Sequence, residues 1–292
     1  MNGLRLKSWL RTSGWRDAGL PLAIYTLAAL LITWPLVTQF STHIAGAGFG
    51  DSAEYVRLGW WARYAVQNGL NPFYQSLLGY PDGFFSATQA AQPLIYWPTA
   101  LFGFFLNPIA AFNLWLLLEV ILSGLSAYWL SREVIGASGG RSTLAALFGG
   151  LVFMAYPTVQ GHLNAGHVNP LSNYALPVLA LCLYRITGGR GSLRTALAGA
   201  AALLILALGN FTFPVFTLLP LVLFGGGYLA LRRRPASSPQ ESPRTDWRVA
   251  LRYLVVMFGV GVLLIVPFYL LLLADLTAPA RPAYLQETGW VR

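Results

Sequence analysis

The chain has 292 residues, 56% of them hydrophobic and only 10% charged, against roughly 25% charged for an average soluble domain. Apolar runs recur along its whole length, which excludes a soluble globular enzyme and leaves one integral membrane domain over 1–292. The net charge of +9 comes from basic residues grouped in short segments between those runs, so it marks topology and excludes a nucleic-acid surface.

A hydrocarbon core about 30 Å thick needs roughly 20 apolar residues in a helix, because lipid cannot satisfy free backbone groups. In chain order the runs 19–40, 109–130, 211–231 and 249–274 are long enough, and 143–158, 171–186 and 194–209 are shorter candidates. The first run follows basic residues but is too long for a signal-peptide core, so it is read as a retained span. The run 91–107 carries Pro93 and Pro98 and is followed by Pro108; interior prolines break or kink helices.

Positive charge decides where that run goes. If 91–107 does not cross, every Lys and Arg except Arg57, Arg63, Arg281 and Arg292 falls on the cytoplasmic side. If it crosses, the charge rule fails. The predicted fold is therefore all-α and polytopic, with about seven transmembrane helices, an outer-face interfacial helix, and a re-entrant or interfacial segment near 91–107. The N-terminus is placed in the cytoplasm and the C-terminus outside, in an inner or plasma membrane. The Pro/Ser-rich stretch 232–248 reads as a flexible cytoplasmic linker. The ending "ETGWVR" follows the last span so closely that a truncated C-terminus is expected.

This topology collects His43, His162 and His167 on the outer face with Asp51, Glu54, Asp82 and Asn210. The outer loop 41–108 contains "GFGDSAEYVRLGWWARYAVQNGLNPF", in which Tyr55, Leu58, Ala62, Ala65 and Val66 recur at helical spacing. A surface helix is expected there, with Trp60 and Trp61 both at headgroup level. Asp51 and Glu54 have the spacing of a capping box, which is a structural role. Asp51 also suits a general base toward an incoming hydroxyl, with Gly48 and Gly50 permitting close approach. Arg57 and Arg63 suit a phosphate or anionic headgroups.

The loop "YPTVQGHLNAGHVNP" places His162, Asn164, His167 and Asn169 between two spans. It reads as an ordinary polar loop, as a phosphate or sugar contact, or as a divalent-metal site with Asp51; five-residue spacing is poor for two histidines on one helix face. No other cofactor is implied. Glu119 lies mid-span in 109–130, where a carboxylate either hydrogen-bonds a neighbouring helix or serves function. Cys182 is alone, so the chain has no internal disulfide. "FGGGY" at 224–228 lacks the Lys-Ser/Thr of a phosphate loop.

Taken in order, "GDSAEY", "WWARYAVQNGLNPF", "YPDG", "QPLIYWPTALFGFFLNPIAAFNLW", "LSGLSAYWLSREV", "LAALFGGLVFMAYPTVQGHLNAGHVN" and "ALPVLALCLYR" resemble the N-terminal portion of GT-C class membrane glycosyltransferases. The likeness is to YfhO-type and protein-mannosyltransferase-like members and covers residues 15 to 190. It implies an inverting hexosyltransferase using a polyprenyl-phosphate sugar at the outer face of the cell envelope. The acceptor would be a glycan, lipid or protein hydroxyl. Asp51 matches the family's first-loop carboxylate base. Relatives often carry two adjacent acids there, whereas Glu54 stands three positions on, as helper or metal ligand. Arg57, His162, His167, Asn164 and Asn210 are the candidates for donor phosphate and sugar. Two other classes remain open: a multi-pass transporter or lipid flippase working through Glu119, and a non-catalytic fragment or assembly partner of a membrane complex.

Overall fold

The computed structural model describes residues 14–46, 50–79, 81, 83–85, 92–136, 140–167, 173–210 and 247–276. The expected span 211–231, almost all of the linker 232–248, and Gly48, Asp82 and Asn169 lie outside the described residues.

The described chain is mainly helical. Helix α1 (Gly14–Ile32) leads into a 3₁₀ turn (Leu36–Gln39). It stops before residue 40, unlike the expected run, because Pro35 offers no N–H and biases Trp34 away from helical backbone. Helix α2 (Ser52–Gln67) is followed by a minimal antiparallel hairpin, Tyr74–Gln75 against Phe84–Phe85. A 3₁₀ turn (Pro93–Ile95) precedes α3 (Trp97–Phe102). Six helical residues rise only about 9 Å, so this proline-broken segment forms no spanning helix. Instead α3 packs between α2 and α4.

Helix α4 (Pro108–Ile135) starts at a well-formed cap: the Asn107 side-chain oxygen accepts from the Ala110 N–H at 2.8 Å, and Pro108 occupies the first turn. Gly136, at φ 68°, ends it in the left-handed conformation. Helix α5 (Gly140–Met154) and α6 (Pro157–Ala165) follow, with the break just before Pro157. Then come α7 (Ala175–Arg185), a π turn (Ile186–Arg190), α8 (Leu193–Gly209, capped by Ser192) and α9 (Trp247–Leu276). Among the described residues three helical stretches are long and apolar enough to cross a membrane: Pro108–Ile135, Gly140–Ala165 and Trp247–Leu271. Gly19–Ile32 and Leu193–Gly209 are shorter apolar helices.

Two apolar clusters hold the fold. The first joins α1 through α6 and centres on Tyr25, Phe112, Leu116 and Tyr128; the second joins α7, α8 and α9 around Leu179, Leu203 and Met257. Helix α4 packs on α5 and also on α7, so it links the two. Small residues permit the close contacts. A methyl group on Gly124 would lie 2.7 Å from the Tyr25 ring, and Tyr25 donates to the Leu147 carbonyl at 3.1 Å. This is the packing expected of apolar helices that approach through glycine. Gly199 receives Met257 in the same manner, between α8 and α9.

Candidate functional site

The candidate site begins with a buried amide. Asn113, in the second turn of α4, is fully buried. Its Nδ2 donates to the carbonyls of Phe40 and His43, each at 2.8 Å, and its Oδ1 accepts from the Ala45 N–H at 3.2 Å. One side chain thereby fixes the loop that leads from α1 to Asp51. His43 takes part through its backbone, while its exposed ring Nδ1 lies 2.9 Å from Thr42 Oγ1.

Ser52 fixes the other side of the junction. Its hydroxyl donates to the Ala45 carbonyl at 2.6 Å and also lies 3.3 Å from the Gly166 carbonyl, at the end of α6. Two glycines make the approach possible. Gly46 (φ 111°) and Gly166 (φ 72°) have left-handed backbones, and a Cβ on Gly166 would sit 2.3 Å from Ser52 Oγ. The start of α2 and the end of α6 therefore touch, although more than a hundred residues separate them in sequence.

That contact brings Asp51 and the histidines together. His167 Nε2 lies 3.8 Å from Asp51 Oδ2, and His167 Nδ1 lies 3.4 Å from His162 Nδ1. The Asp51 side chain is 61% exposed and that of His167 45%, so both are open to an incoming molecule. When His162 and His167 share a hydrogen on their facing Nδ1 atoms, one ring donates and the other accepts. The Nε2 of His167 stays turned toward the carboxylate. The arrangement suits taking up a proton at Asp51 and distributing the charge over an adjoining imidazole.

The capping-box expectation is not met. Asp51 holds the N-cap position of α2, yet its backbone is helical (φ −71°, ψ −7°) and its side chain makes no capping bond. Such a bond needs an extended N-cap residue. Glu54 is engaged elsewhere: Arg57 Nε donates to it at 2.7 Å, a second Arg57 nitrogen completes the pair, and Arg57 Nη1 reaches the buried Gln75. Glu54 and Arg57 thus pair with each other and tie α2 to the hairpin.

Arg63 is also used within the fold, donating to the Gly103 carbonyl after α3. Trp61 is another correction. It is 2% exposed and its indole donates to the Pro72 carbonyl at 3.0 Å. Neighbouring helical residues point about 100° apart, so the pair could not share one surface, and Trp60 stacks instead on Tyr64 at 5.4 Å. Val66, placed on the apolar stripe, is 48% exposed.

Asn164 lies exposed on α6, close in sequence to the histidines. Asn210 ends α8, where its N–H bonds the Leu206 carbonyl at 3.0 Å, in the part of the fold built from α7 to α9. Glu119 is fully buried in α4. Beside it, Ser123 Oγ lies 2.9 Å from the Glu119 carbonyl and 3.0 Å from Asn173 Oδ1. Among the described residues no three His, Cys, Asp or Glu side chains converge as metal ligands.

The sequence reading passed over Asn113 and Ser52. Asn113 carried a usable signal, being an amide inside an apolar run, where polar side chains need partners. Comparison with protein-family models and with curated proteins finds no match to this chain.

Proposed function

We propose that the chain is a membrane-embedded inverting glycosyltransferase. It moves a sugar from a polyprenyl-phosphate donor to a hydroxyl acceptor at the outer face of the cell membrane, and Asp51 is the base. The observation that carries the proposal is the state of Asp51: exposed, free of any capping bond, and 3.8 Å from His167, which lies against His162. A carboxylate with a helix-capping role only would be turned onto backbone N–H groups.

In this reading the acceptor hydroxyl approaches Asp51 and gives up its proton as its oxygen attacks the anomeric carbon. The bond to the lipid phosphate breaks and the pair of electrons leaves with that phosphate. His167 and His162 steady the charge on the outer face, and Asn164 is near enough in sequence to contact the sugar. Arg57, held by Glu54 and Gln75, positions α2 rather than the donor. Seven spans, with the N-terminus inside and the C-terminus outside, are part of the same proposal. They agree with the meeting of Glu133 with Arg185 and Arg190 at one end of the helices, since both segments carry inner-side charge.

The test uses membranes holding the full chain, supplied with labelled polyprenyl-phosphate sugars. Transfer should disappear in Asp51→Asn and fall strongly in His167→Gln, while Glu54→Gln retains it, all three inserting normally. Wild-type transfer that persists unchanged in Asp51→Asn would remove Asp51 as the base. The transporter reading has one observation in its favour, the complete burial of Glu119 within α4. It predicts movement of substrate across vesicles that depends on Glu119 and not on Asp51.

A further inference from the structure

At the opposite end of α4 lies a second charged cluster, separate from the Asp51 junction. Glu133, past the apolar run 109–130, is bracketed by two arginines: Arg185 at 2.5 Å and Arg190 at 2.5 Å. A third, Arg132, reaches back to the Tyr128 hydroxyl at 3.4 Å. Two guanidiniums on one carboxylate leave an excess of positive charge there, and Arg132 stands beside them. They line a cavity of about 580 Å³ together with Trp129 and Leu181, far more room than the ion pairs themselves need.

The position of this cavity says what belongs in it. Twenty residues of α4 separate Asn113 from Glu133, a rise of about 30 Å, which is the thickness of the hydrocarbon core. Trp129, 46% exposed, stands one turn before the arginines, as aromatic residues do at the headgroup boundary. The Arg190 guanidinium lies 5.3 Å from the Tyr184 ring centre and is 53% exposed along its side chain. Its charge is presented at the rim of the cavity.

We propose that this cavity binds a phosphate group, seated between Arg132, Arg185 and Arg190, and that its physiological source is the headgroup of an anionic phospholipid in the leaflet opposite the Asp51 site. Glu133 competes with the phosphate for two of the guanidiniums and holds them in place when the cavity is empty. Guanidinium forks match phosphate oxygens in pairs. The apolar wall at Leu181 and Trp129 accepts the start of an acyl chain. The proposal does not depend on the transferase reading.

The full chain is reconstituted in phosphatidylcholine vesicles with a trace of spin-labelled phosphatidylglycerol or spin-labelled phosphatidylcholine. The motionally restricted fraction then gives the preference between them. Phosphatidylglycerol should be favoured about fivefold, the size of one surface guanidinium contact. Arg132→Gln should lower the preference while leaving the two pairs of Glu133 in place. Arg185→Gln with Arg190→Gln should abolish it, and Glu133→Gln, which removes the competing carboxylate, should raise it.

Radiolabelled inorganic phosphate separates the two sources. Retention by the chain in zwitterionic detergent, lost in the arginine variants, supports the phosphate site with a soluble ligand; lipid preference without such retention supports the headgroup. Equal restriction of both lipids by the wild-type chain, with no phosphate retained, overturns the proposal. So does a preference that Arg132→Gln and Glu133→Gln both leave unchanged.

Discussion

Replacing Asn113 by Ala tests whether α4 fixes the loop in front of Asp51. The side chain is fully buried and makes three hydrogen bonds to backbone groups of Phe40, His43 and Ala45. Each such bond contributes about 1 kcal/mol net, and more when a buried partner is left unsatisfied. Truncation should therefore destabilise the loop by about 3 kcal/mol, or roughly a hundredfold in its local opening equilibrium. Amide hydrogen exchange across residues 40–46, followed by mass spectrometry on the chain in nanodiscs, reads this directly. Ala45 should show the largest acceleration, because its own N–H loses its acceptor. Asn113→Asp is the informative companion: it keeps an acceptor for Ala45 but turns an oxygen toward the Phe40 and His43 carbonyls, so residues 40–43 should still open. Exchange within threefold of wild type in Asn113→Ala would refute the view that this amide holds the loop.

Gly166→Ala should lower the melting temperature, because its Cβ would meet Ser52 Oγ at 2.3 Å on a backbone at φ 72°; a cost of about 1–3 kcal/mol is expected for such strain. Gly161→Ala, with open space around the added methyl, is the control and should stay within about 0.5 kcal/mol. Gly150→Ala would press its methyl onto the Tyr25 hydroxyl, so Tyr25→Phe, which alone loses about 1 kcal/mol with its bond to Leu147, should partly rescue it in a double-mutant cycle. Additive losses in that cycle would deny the contact. Glu54→Gln should change stability by less than about 1 kcal/mol, since its pair with Arg57 is partly exposed at 48% and 29%; a larger drop in denaturation would show that the tie from α2 to the hairpin carries more of the fold than its exposure suggests.

Much of the helical layout is present in the order of residues. The runs 194–209 and 249–274 match α8 and α9 to within a few positions, and Pro93 and Pro98 mark the segment that forms no long helix. Hydrophobic length and proline act locally, through backbone satisfaction and the missing N–H, and so can be read from a window of sequence. The grouping of Asp51 with His162 and His167 was also legible, from charge alone, as a shared face. Its geometry was not. Whether Asp51 caps its helix depends on a backbone angle set by the loop before it. That loop is fixed by Asn113 from a helix more than sixty residues later. Glu54 has the spacing of a capping partner, but Arg57 one turn on and Gln75 beyond the helix take it instead. Trp61 looks like its neighbour until packing chooses which of two adjacent directions faces the core. Composition and periodicity located most of the helices, though not every end; only tertiary contact, which sums many weak long-range preferences, decided which polar side chains were engaged by neighbours and which stood open.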